Sequence, residues 1–522
     1  MPAYLLLLSI LLSQGITIHS TEESVFPRGH LQPLGSHCDP DNNLIDELHD
    51  IPSAKDFWER YVKPSRAVVL RGAAKNSPAF TKWTDEYLAK HYGDLEVRLE
   101  RKKEKSGAVP VGIKGIGLDT IGNFIKHYHQ TNSYVVSELP TPMWHDFQVQ
   151  PCLLCGSFRK RLVEVDLWMS GGGSSSILHK DAFNAINCLY NGTKEWKMIE
   201  YKYEDKIYKA WEPDREIGGF SCIDPLKVDL IKYPKVAEVP WSFVTINAGD
   251  CLFLPKSYYH QVTSYGTMNV ALAILFSRFE GEENIDLSDC HGNESYTPLS
   301  ELELDWMFPG HGNLSMGNPD LEDVRTILMK SVEEGNPREF VFNTFKQMFP
   351  EKSDEWVGNK SEEIAAAVGL DKKKIITTED IQNLSRDDLR KIALIVQPTD
   401  LSNTELHEYT YVNPTAVWDI VKRLLQEDGK LNKKKFIHFY NKEAYGTEKF
   451  ANEILSKLSK DSDNQWINKE DVSSKLQEAL SPYFDNQREE YIPPGEMEPE
   501  ENDAYGDEKD DELPLQPTHE EL

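Results

Sequence analysis

A histidine and an aspartate two positions apart are the first residues whose types and spacing suggest chemistry. His179 and Asp181 end the segment Ser174-Ser-Ser-Ile-Leu-His-Lys-Asp181. In an extended strand, residues two apart point to the same face, so both side chains could bind one metal ion. A third ligand is available at His260. Two histidines and one carboxylate on one side of an octahedral iron leave three positions open, the ligand set of non-haem Fe(II) oxygenases.

A His-x-Asp pair alone is a weak signal, because a histidine near an aspartate on a strand is more often a simple polar pair. The surrounding sequence strengthens the metal interpretation. His260 follows the apolar run Asp250-Cys-Leu-Phe-Leu-Pro255, which is typical of a second buried strand. Of the three open positions, two would hold a chelating 2-oxo acid and one would hold dioxygen.

Short strand-like runs around these residues predict an all-β barrel or sandwich at about 160–280. The runs are alternating or wholly apolar, and glycine, asparagine or proline separates them. They are Arg161–Met169, Ala185–Tyr190, Trp196–Glu200, Ser242–Ile246, Cys251–Leu254 and Val270–Phe276. Residues 30–135 alternate helical pieces with strands, and residues 318–484 have a helical pattern. The expected fold class is α+β, with a β core between an N-terminal α/β segment and a C-terminal helical region.

The chain resembles the JmjC-type, cupin-fold 2-oxoglutarate oxygenases, in particular the small protein-hydroxylase branch that includes the asparaginyl hydroxylase of hypoxia-inducible factor. The similarity covers about residues 45–280. Four segments carry it, at Asp56–Gly72, Ser176–Asp181, Asn191–Trp196 and Asn247–Val262. The resemblance implies an oxygenase domain at 30–290 with a double-stranded β-helix (jelly-roll or cupin) core at about 160–280.

The same resemblance implies the iron ligands and one cosubstrate contact. His179, Asp181 and His260 match the positions that bind iron in the family. Lys194, fifteen residues after the first histidine, matches a lysine that pairs with the far carboxylate of 2-oxoglutarate. This role makes physical sense, because a dicarboxylate held at an iron needs a fixed cation at its other end. The alternative is a solvent-facing lysine after an Asn-Gly hairpin turn.

Two further residues match the family's cosubstrate pocket, and one position departs from it. Ser176 matches a hydroxyl residue three positions before the first histidine, and Tyr134 is the best match to an upstream tyrosine. The family often has an asparagine six residues after the first histidine, where this chain has Ala185, with Asn184 and Asn187 nearby. We expect this departure to affect substrate positioning more than iron.

These residues favour an active enzyme that couples decarboxylation of 2-oxoglutarate to oxidation of a C–H bond. Hydroxylation of a protein side chain is the expected reaction. Demethylation of an N-methyl group and oxidation of a glycan or small molecule use the same chemistry. The alternative class is a non-catalytic luminal binding protein or chaperone with a cupin barrel and a calcium-buffering acidic tail. The retention of His179, Asp181, His260 and Lys194 favours the enzyme, because a binding module would not need all four.

Both ends of the chain carry targeting signals. The apolar run Tyr4–Leu12 is well short of the ~20 residues that cross a bilayer. Residues 1–20 are therefore expected to be a cleaved signal peptide rather than a retained anchor. The last four residues, His519-Glu520-Glu521-Leu522, are a one-letter variant of the H-D-E-L retrieval signal. Together the signals predict the endoplasmic reticulum lumen, a retrieval receptor as partner and no stable membrane insertion.

The charge of the chain disfavours nucleic acid as a partner. The formal net charge is −29 at pH 7, which offers no general attraction for phosphates. Residues 489–522 hold 14 acidic residues and one lysine, and are expected to form a disordered acidic tail. Five N-glycosylation sequons agree with a luminal location. They are at Asn191, Asn293, Asn313, Asn359 and Asn383.

Seven cysteines in an oxidising compartment predict one to three disulfides and one remaining thiol. Cys188 and Cys251 lie in apolar strand-like runs, which favours buried thiols. Cys152 and Cys155 have CxxC spacing, but no strand-then-helix context surrounds them and no second CxxC completes a zinc site. A structural disulfide or buried thiols are favoured there over redox chemistry.

Two segments of the helical region resemble the cores of EF-hand loops. Leu431 and Ile467 occupy the central hydrophobic position of each loop and are 36 residues apart, a usual spacing for a pair. The ligands are poor. Lys435 stands where a bidentate glutamate is expected, and Lys460 and Ser462 hold positions 1 and 3 of the second loop. We expect a degenerate EF-hand-like pair at about 414–482, acting in packing or partner binding, with calcium disfavoured as a cofactor.

Overall fold

The computed structural model describes residues 26–101, 117–131, 133–212, 215–256, 258–279, 283–311, 320–334, 346, 353–373, 376–396, 414–444, 448–460 and 464–488. The predicted signal peptide, the sequon at Asn313, Ser462 and the acidic tail with its retrieval signal lie outside the described residues.

A 13-stranded sheet forms the centre of the protein. Its strands are β1 (Asp46–Leu48), β2 (Val68–Leu70), β3 (Glu96–Arg101), β4 (Gly117–Thr120), β5 (Ser133–Glu138), β7 (Leu162–Ser170), β8 (His179–Lys180), β9 (Asn184–Ile199), β10 (Lys209–Glu212), β11 (Arg215–Ser221), β12 (Ser242–Asn247), β13 (Cys251–Leu254) and β14 (Tyr259–Phe276). The main order is β1-β2-β13-β9-β14-β7-β5-β3-β4, with β12 beside β9 and β8 beside β14. A separate pair joins β6 (Gln148–Val149) to β15 (Thr297–Pro298). The α+β fold with a jelly-roll core is confirmed.

Strands β9 and β14 run through both layers of the barrel and pair with each other along their length. The first half of β9 also pairs with β13 and the second half with β12. Gly192 lies between the two halves with a φ of 83°, and an added Cβ would come within 2.6 Å of Asn269 Nδ2. Glycine therefore suits this position best. Side chains of the two layers, Leu189 from one and Trp196 from the other, meet in an inner apolar core.

The continuity of β9 differs from the sequence expectation of two strands joined by a turn at Asn191-Gly192. The positive φ that makes Asn-Gly a hairpin signal is present. Here it redirects one strand from the first layer to the second, because both halves have partners in β14. Strand β14 likewise begins at Tyr259, earlier than the expected start at Val270. Strands β10 and β11 were not anticipated.

Helices and short helical turns cover the outer face of the larger layer. Phe57 and Phe253 are in edge contact there, with ring centroids 4.9 Å apart. The first helical segment of this part, Ala54–Val62, consists of four α-helical residues followed by five π-helical residues, Trp58–Val62. The α-helices of this part are α1 (Ala54–Phe57), α2 (Ala79–Lys82), α3 (Asp85–Tyr92), α4 (Ile121–His127) and α5 (Gly156–Lys160).

The helical region contacts the barrel through buried ion pairs. Arg161, which precedes β7, places Nη2 3.1 Å from Asp320 and 3.0 Å from Asp323. Arg386 pairs in the same way with Asp305. The α-helices of the helical region are α6 (Leu321–Glu334), α7 (Asp354–Ala367), α8 (Thr378–Gln382), α9 (Arg386–Val396), α10 (Pro414–Asp428), α11 (Lys433–Glu443), α12 (Glu448–Leu458) and α13 (Lys469–Arg488). None of the helices in the described ranges is long and apolar enough to cross a bilayer.

Two disulfides are present among the described residues. Cys188 and Cys251 lie directly opposite each other on β9 and β13 with Cα atoms 4.0 Å apart, so the interpretation of these residues as buried thiols is wrong. The pairing of adjacent strands brings them together, which their separate sequence positions do not reveal. Cys155 pairs with Cys290, not with its CxxC neighbour Cys152, which is a buried thiol. Burial raises the pKa of Cys152 to about 12, which argues against thiolate chemistry.

The EF-hand-like segments form two helix–strand–helix units. Their strands, β16 (Lys430–Asn432) and β17 (Trp466–Asn468), pair with Leu431 opposite Ile467. Both of these side chains are buried in a core shared with α10–α13. In the first loop, Lys435 Nζ lies 2.7 Å from Asp428 Oδ2. The loop carboxylate therefore pairs with an ammonium group of the same loop.

We expect the helical pair to show no high-affinity calcium site, because an internal ammonium neutralises Asp428 and position 12 offers no carboxylate. Isothermal titration of calcium into the full chain and into a chain lacking residues 489–522 measures this directly. Any weak calcium uptake should disappear with the tail. Sub-micromolar binding that survives the deletion would contradict the expectation.

Candidate metal centre

The structure brings together the three residues that the sequence singles out as metal ligands. His179 on β8 lies directly opposite His260 on β14, and Asp181 follows β8. Asp181 Oδ1 is 3.7 Å from His179 Nε2, and Asp181 Oδ2 is 3.6 Å from His260 Nε2. One ligand atom of each residue lies within 4.8 Å of the other two. A single ion could therefore contact all three.

The backbone orients both imidazole rings for metal binding. Nδ1 of His179 is 2.9 Å from the carbonyl of Ile177, and Nδ1 of His260 is 3.0 Å from the carbonyl of Tyr258. With the Nδ1–H groups donating to these carbonyls, each Nε2 keeps its lone pair for a metal, the usual arrangement of a metal-bound histidine.

The electrostatics of His260 also suit a metal ligand. Burial, together with repulsion from the charge of His179, lowers the pKa of His260 to about 4. Its ring is therefore neutral near neutral pH, as metal binding requires. Trp196 stacks on this ring with centroids 5.6 Å apart and belongs to the inner core. The donor set of two imidazole nitrogens and one carboxylate fits Fe(II).

Lys194 is a buried cation on the second half of β9. It is 8% exposed, and no described residue bonds to or pairs with its ammonium group. Burial alone lowers its pKa to about 8. The alternative interpretation of Lys194, a solvent-facing lysine after a hairpin turn, is therefore wrong. A buried charge without a partner is costly, and an anionic ligand would offset that cost.

The other two cosubstrate candidates lie on elements of the same barrel. Ser176 Oγ accepts a hydrogen bond from the backbone N–H of Val262, close in sequence to His260. Tyr134 lies on β5, directly before Val135 and Val136. These two residues pair with Met169 and Trp168 of β7. Tyr134 shares a face with Val136, because side chains alternate along a strand. That face carries Trp168, which packs against the inner core.

Asn184 and Asn187 lie near Ala185, the position at which the family often has an asparagine, and they have different roles. Asn184 is structural, since its amide donates to the carbonyl of Ser277 at 2.7 Å and accepts from the N–H of Lys256 at 3.0 Å. Asn187 lies on the inner face of β9, is 9% exposed and has no side-chain partner among the described residues.

Asp166 is a residue of this site that the sequence interpretation missed. It lies on β7, is 3% exposed, and no described residue bonds to its Oδ1. Burial, then the charges of Glu164 and Asp181, hold the pKa of Asp166 well above its usual range. The available signal was the pair of acids, Glu164 and Asp166, at alternate positions of an otherwise apolar strand.

The sequons differ in their surroundings. Asn191 is half-buried within β9 and its amide contacts Met268 Sδ at 3.4 Å, so a glycan there would displace a strand contact. Asn293, Asn359 and Asn383 are exposed and remain predicted acceptors.

Comparison with known proteins agrees with this geometry. Residues 54–282 match the cupin-like domain family. The human bifunctional peptidase and (3S)-lysyl hydroxylase JMJD7 is 24% identical over 249 residues, covering 40% of this chain and 77% of that protein. Jumonji C domain-containing protein 5 of Drosophila melanogaster is 24% identical over 253 residues, covering 46% and 61%. The arginine-specific demethylase JMJ22 of Arabidopsis thaliana is 22% identical over 293 residues, covering 55% and 53%.

Fold, ligand set and relatives together define the class: this is a cupin-fold oxygenase of the Fe(II)- and 2-oxoglutarate-dependent type. Within that class, residues 54–282 form a cupin-like domain similar to those of the JmjC-domain proteins.

Proposed function

We propose that this protein hydroxylates a side chain of a protein substrate in the lumen of the endoplasmic reticulum, using Fe(II) and 2-oxoglutarate. One observation carries the proposal. The barrel that gathers His179, Asp181 and His260 also buries a cation, Lys194, that pairs with no residue in the described ranges. A metal site alone would not need such a cation, whereas a chelating dicarboxylate does.

Each residue has a task in the proposed reaction. His179, Asp181 and His260 hold iron, and Lys194 holds the far carboxylate of 2-oxoglutarate. Ser176 and Tyr134 complete that pocket. Bound iron and 2-oxoglutarate supply oxidative decarboxylation, in which 2-oxoglutarate, O2 and a C–H bond become succinate, CO2 and an alcohol. Trp196 and the inner core keep water from the inner side of the ligands.

Hydroxylation is preferred over demethylation for this chain. The two outcomes share the same chemistry, and the relatives bear names of both kinds. The sequence shows no chromatin-reading module, and the proposed compartment holds no histones. Mass spectrometry of luminal proteins should therefore reveal oxygen-atom mass increments that vanish when this protein is deleted. Gain of methyl groups on those proteins, without loss of hydroxyl groups, would contradict hydroxylation.

The luminal location is part of the proposal. It is supported by the apolar run Tyr4–Leu12, by the terminal His519-Glu520-Glu521-Leu522 and by two disulfides, which persist in oxidising compartments.

We expect removal of residues 519–522 to release the protein into the medium, because the retrieval receptor would no longer recognise it. Immunoblots of medium and cells, with the full chain as control, measure the distribution. A truncated protein that stays inside cells with immature glycans would contradict retrieval by these residues.

A further inference from the structure

A short connection between two strands sets the place of the carboxylate in the metal site. The connection Asp181–Phe183 joins the end of β8 to the start of β9, and Asp181 is its first residue. The backbone carbonyls of Ile177 and Tyr258 orient the two histidine rings. No described residue donates a hydrogen bond to the carboxylate of Asp181, which lies more than 3.5 Å from both imidazoles. Its position therefore depends on how the connection itself is held.

Phe183 is the buried side chain of this connection. Ala182 is exposed, whereas Phe183 is 5% exposed. The phenyl ring belongs to the same apolar core as Leu321 and Leu328 of α6. The helical region thus contributes to the core that buries a residue two positions from a metal ligand.

An arginine connects the same ring to α6. The guanidinium of Arg278, which follows β14, lies over the ring of Phe183 with its Cζ 5.5 Å from the ring centroid. Its Nη2 donates to Asp323 Oδ2 of α6 at 3.0 Å, and Arg161 Nη2 donates to the other oxygen at 3.0 Å. A planar guanidinium can stack on a ring and pair with a carboxylate at the same time. Contacts therefore run from α6 through Arg278 to Phe183, and two residues of backbone separate Phe183 from Asp181.

We infer that Phe183 is a positioning residue of the metal site, through which the helical region fixes Asp181 opposite His179 and His260. This inference rests on the metal site of the proposed function. Groups that orient metal ligands contribute to metal affinity almost as the ligands do. The two histidines take this support from backbone carbonyls, and Asp181 takes it from a packed ring. Without the ring the connection would have more conformations, and metal binding would have to order it again.

The Phe183→Ala protein should bind Fe(II) about tenfold more weakly than wild type, as expected when the support of a ligand is lost. Affinity is measured anaerobically on the full chain by competition with a chromophoric chelator, beside thermal unfolding of the metal-free protein. Leu328→Ala is the matched control, since Leu328 is 3% exposed in the same core but lies on α6. It should lose thermal stability and keep the Fe(II) affinity of wild type. The visible spectrum of the Co(II)-loaded proteins reports ligand arrangement, and it should change in Phe183→Ala alone.

Arg278→Lys is a milder second variant, which decides the question if Phe183→Ala does not fold. It keeps a positive charge beside Asp323 but loses the planar group that lies on Phe183. It should weaken Fe(II) binding in the same direction and by less. Unchanged Fe(II) affinity in Arg278→Lys or in folded Phe183→Ala, or an equal loss of affinity in Leu328→Ala, would overturn the inference. A wild type that binds Fe(II) but does not turn over 2-oxoglutarate would count against the proposed function alone.

Discussion

The Asp181→Ala protein is expected to fold but to lose both its bound iron and its turnover of 2-oxoglutarate. Asp181 supplies the only carboxylate of the described metal-ligand triad, and its oxygens lie 3.6 and 3.7 Å from the two histidine Nε2 atoms. Residues that only hydrogen-bond to metal ligands already cost about 10–100-fold in affinity when mutated, so loss of a ligand should cost more. We expect the His179→Ala protein to lose its bound iron and its turnover of 2-oxoglutarate in the same way.

Metal analysis of the purified proteins, with succinate release as the second readout, measures this effect. Wild type should hold one iron per chain. Asp205→Ala is a suitable control, since Asp205 is an exposed acid of the turn Tyr201–Lys206. If the Asp181→Ala protein retained one iron per chain and full turnover, the proposed set of metal ligands would be wrong.

The Lys194→Ala protein is expected to keep iron and to bind 2-oxoglutarate at least about tenfold more weakly. Breaking a buried charge pair costs about 2–5 kcal/mol, and each 1.4 kcal/mol is about tenfold. The fold should survive, because the substitution removes a buried charge that pairs with none of the described residues. Lys197→Ala is the matched control, since Lys197 lies three residues further along β9 and faces the other way. Unchanged affinity in Lys194→Ala, with iron in place, would favour the non-catalytic class.

The pH dependence of that affinity supplies a second test of Lys194. Its pKa is lowered to about 8 by burial, so the ammonium loses its proton as the pH rises through that value. Affinity of wild type for 2-oxoglutarate should therefore be constant below about pH 8 and fall above it. In Lys194→Arg the guanidinium stays charged, and whatever affinity remains should be flat over this range. A wild-type profile without this fall, together with unchanged affinity in Lys194→Ala, would show that Lys194 does not provide the charge.

The metal ligands were open to prediction because their geometry is largely local. His179 and Asp181 are two residues apart, and His260 follows shortly after the apolar run that forms β13. Lys194 was named by resemblance, but its burial was not predictable from the Asn-Gly sequence before it. That burial depends on β9 continuing into the second layer, which is decided by its pairing with β14.

Pairing between strands that are far apart in the chain also explains the features that the sequence analysis missed. Cys188 and Cys251 form a disulfide because β9 and β13 are neighbours, and Asp166 joins the site because β7 lies next to β14. Each residue has an ordinary sequence environment on its own strand. Their roles arise from register between strands far apart in the chain, and local patterns do not carry that information.

Release of labelled CO2 from 1-labelled 2-oxoglutarate by the iron-loaded full chain tests the central claim most directly. Release should require both Fe(II) and O2, should be matched by succinate, and should be absent from Asp181→Ala. Equal release by Asp181→Ala or by chelator-treated protein would contradict the claim. So would a folded, iron-loaded wild type that neither binds 2-oxoglutarate nor releases CO2.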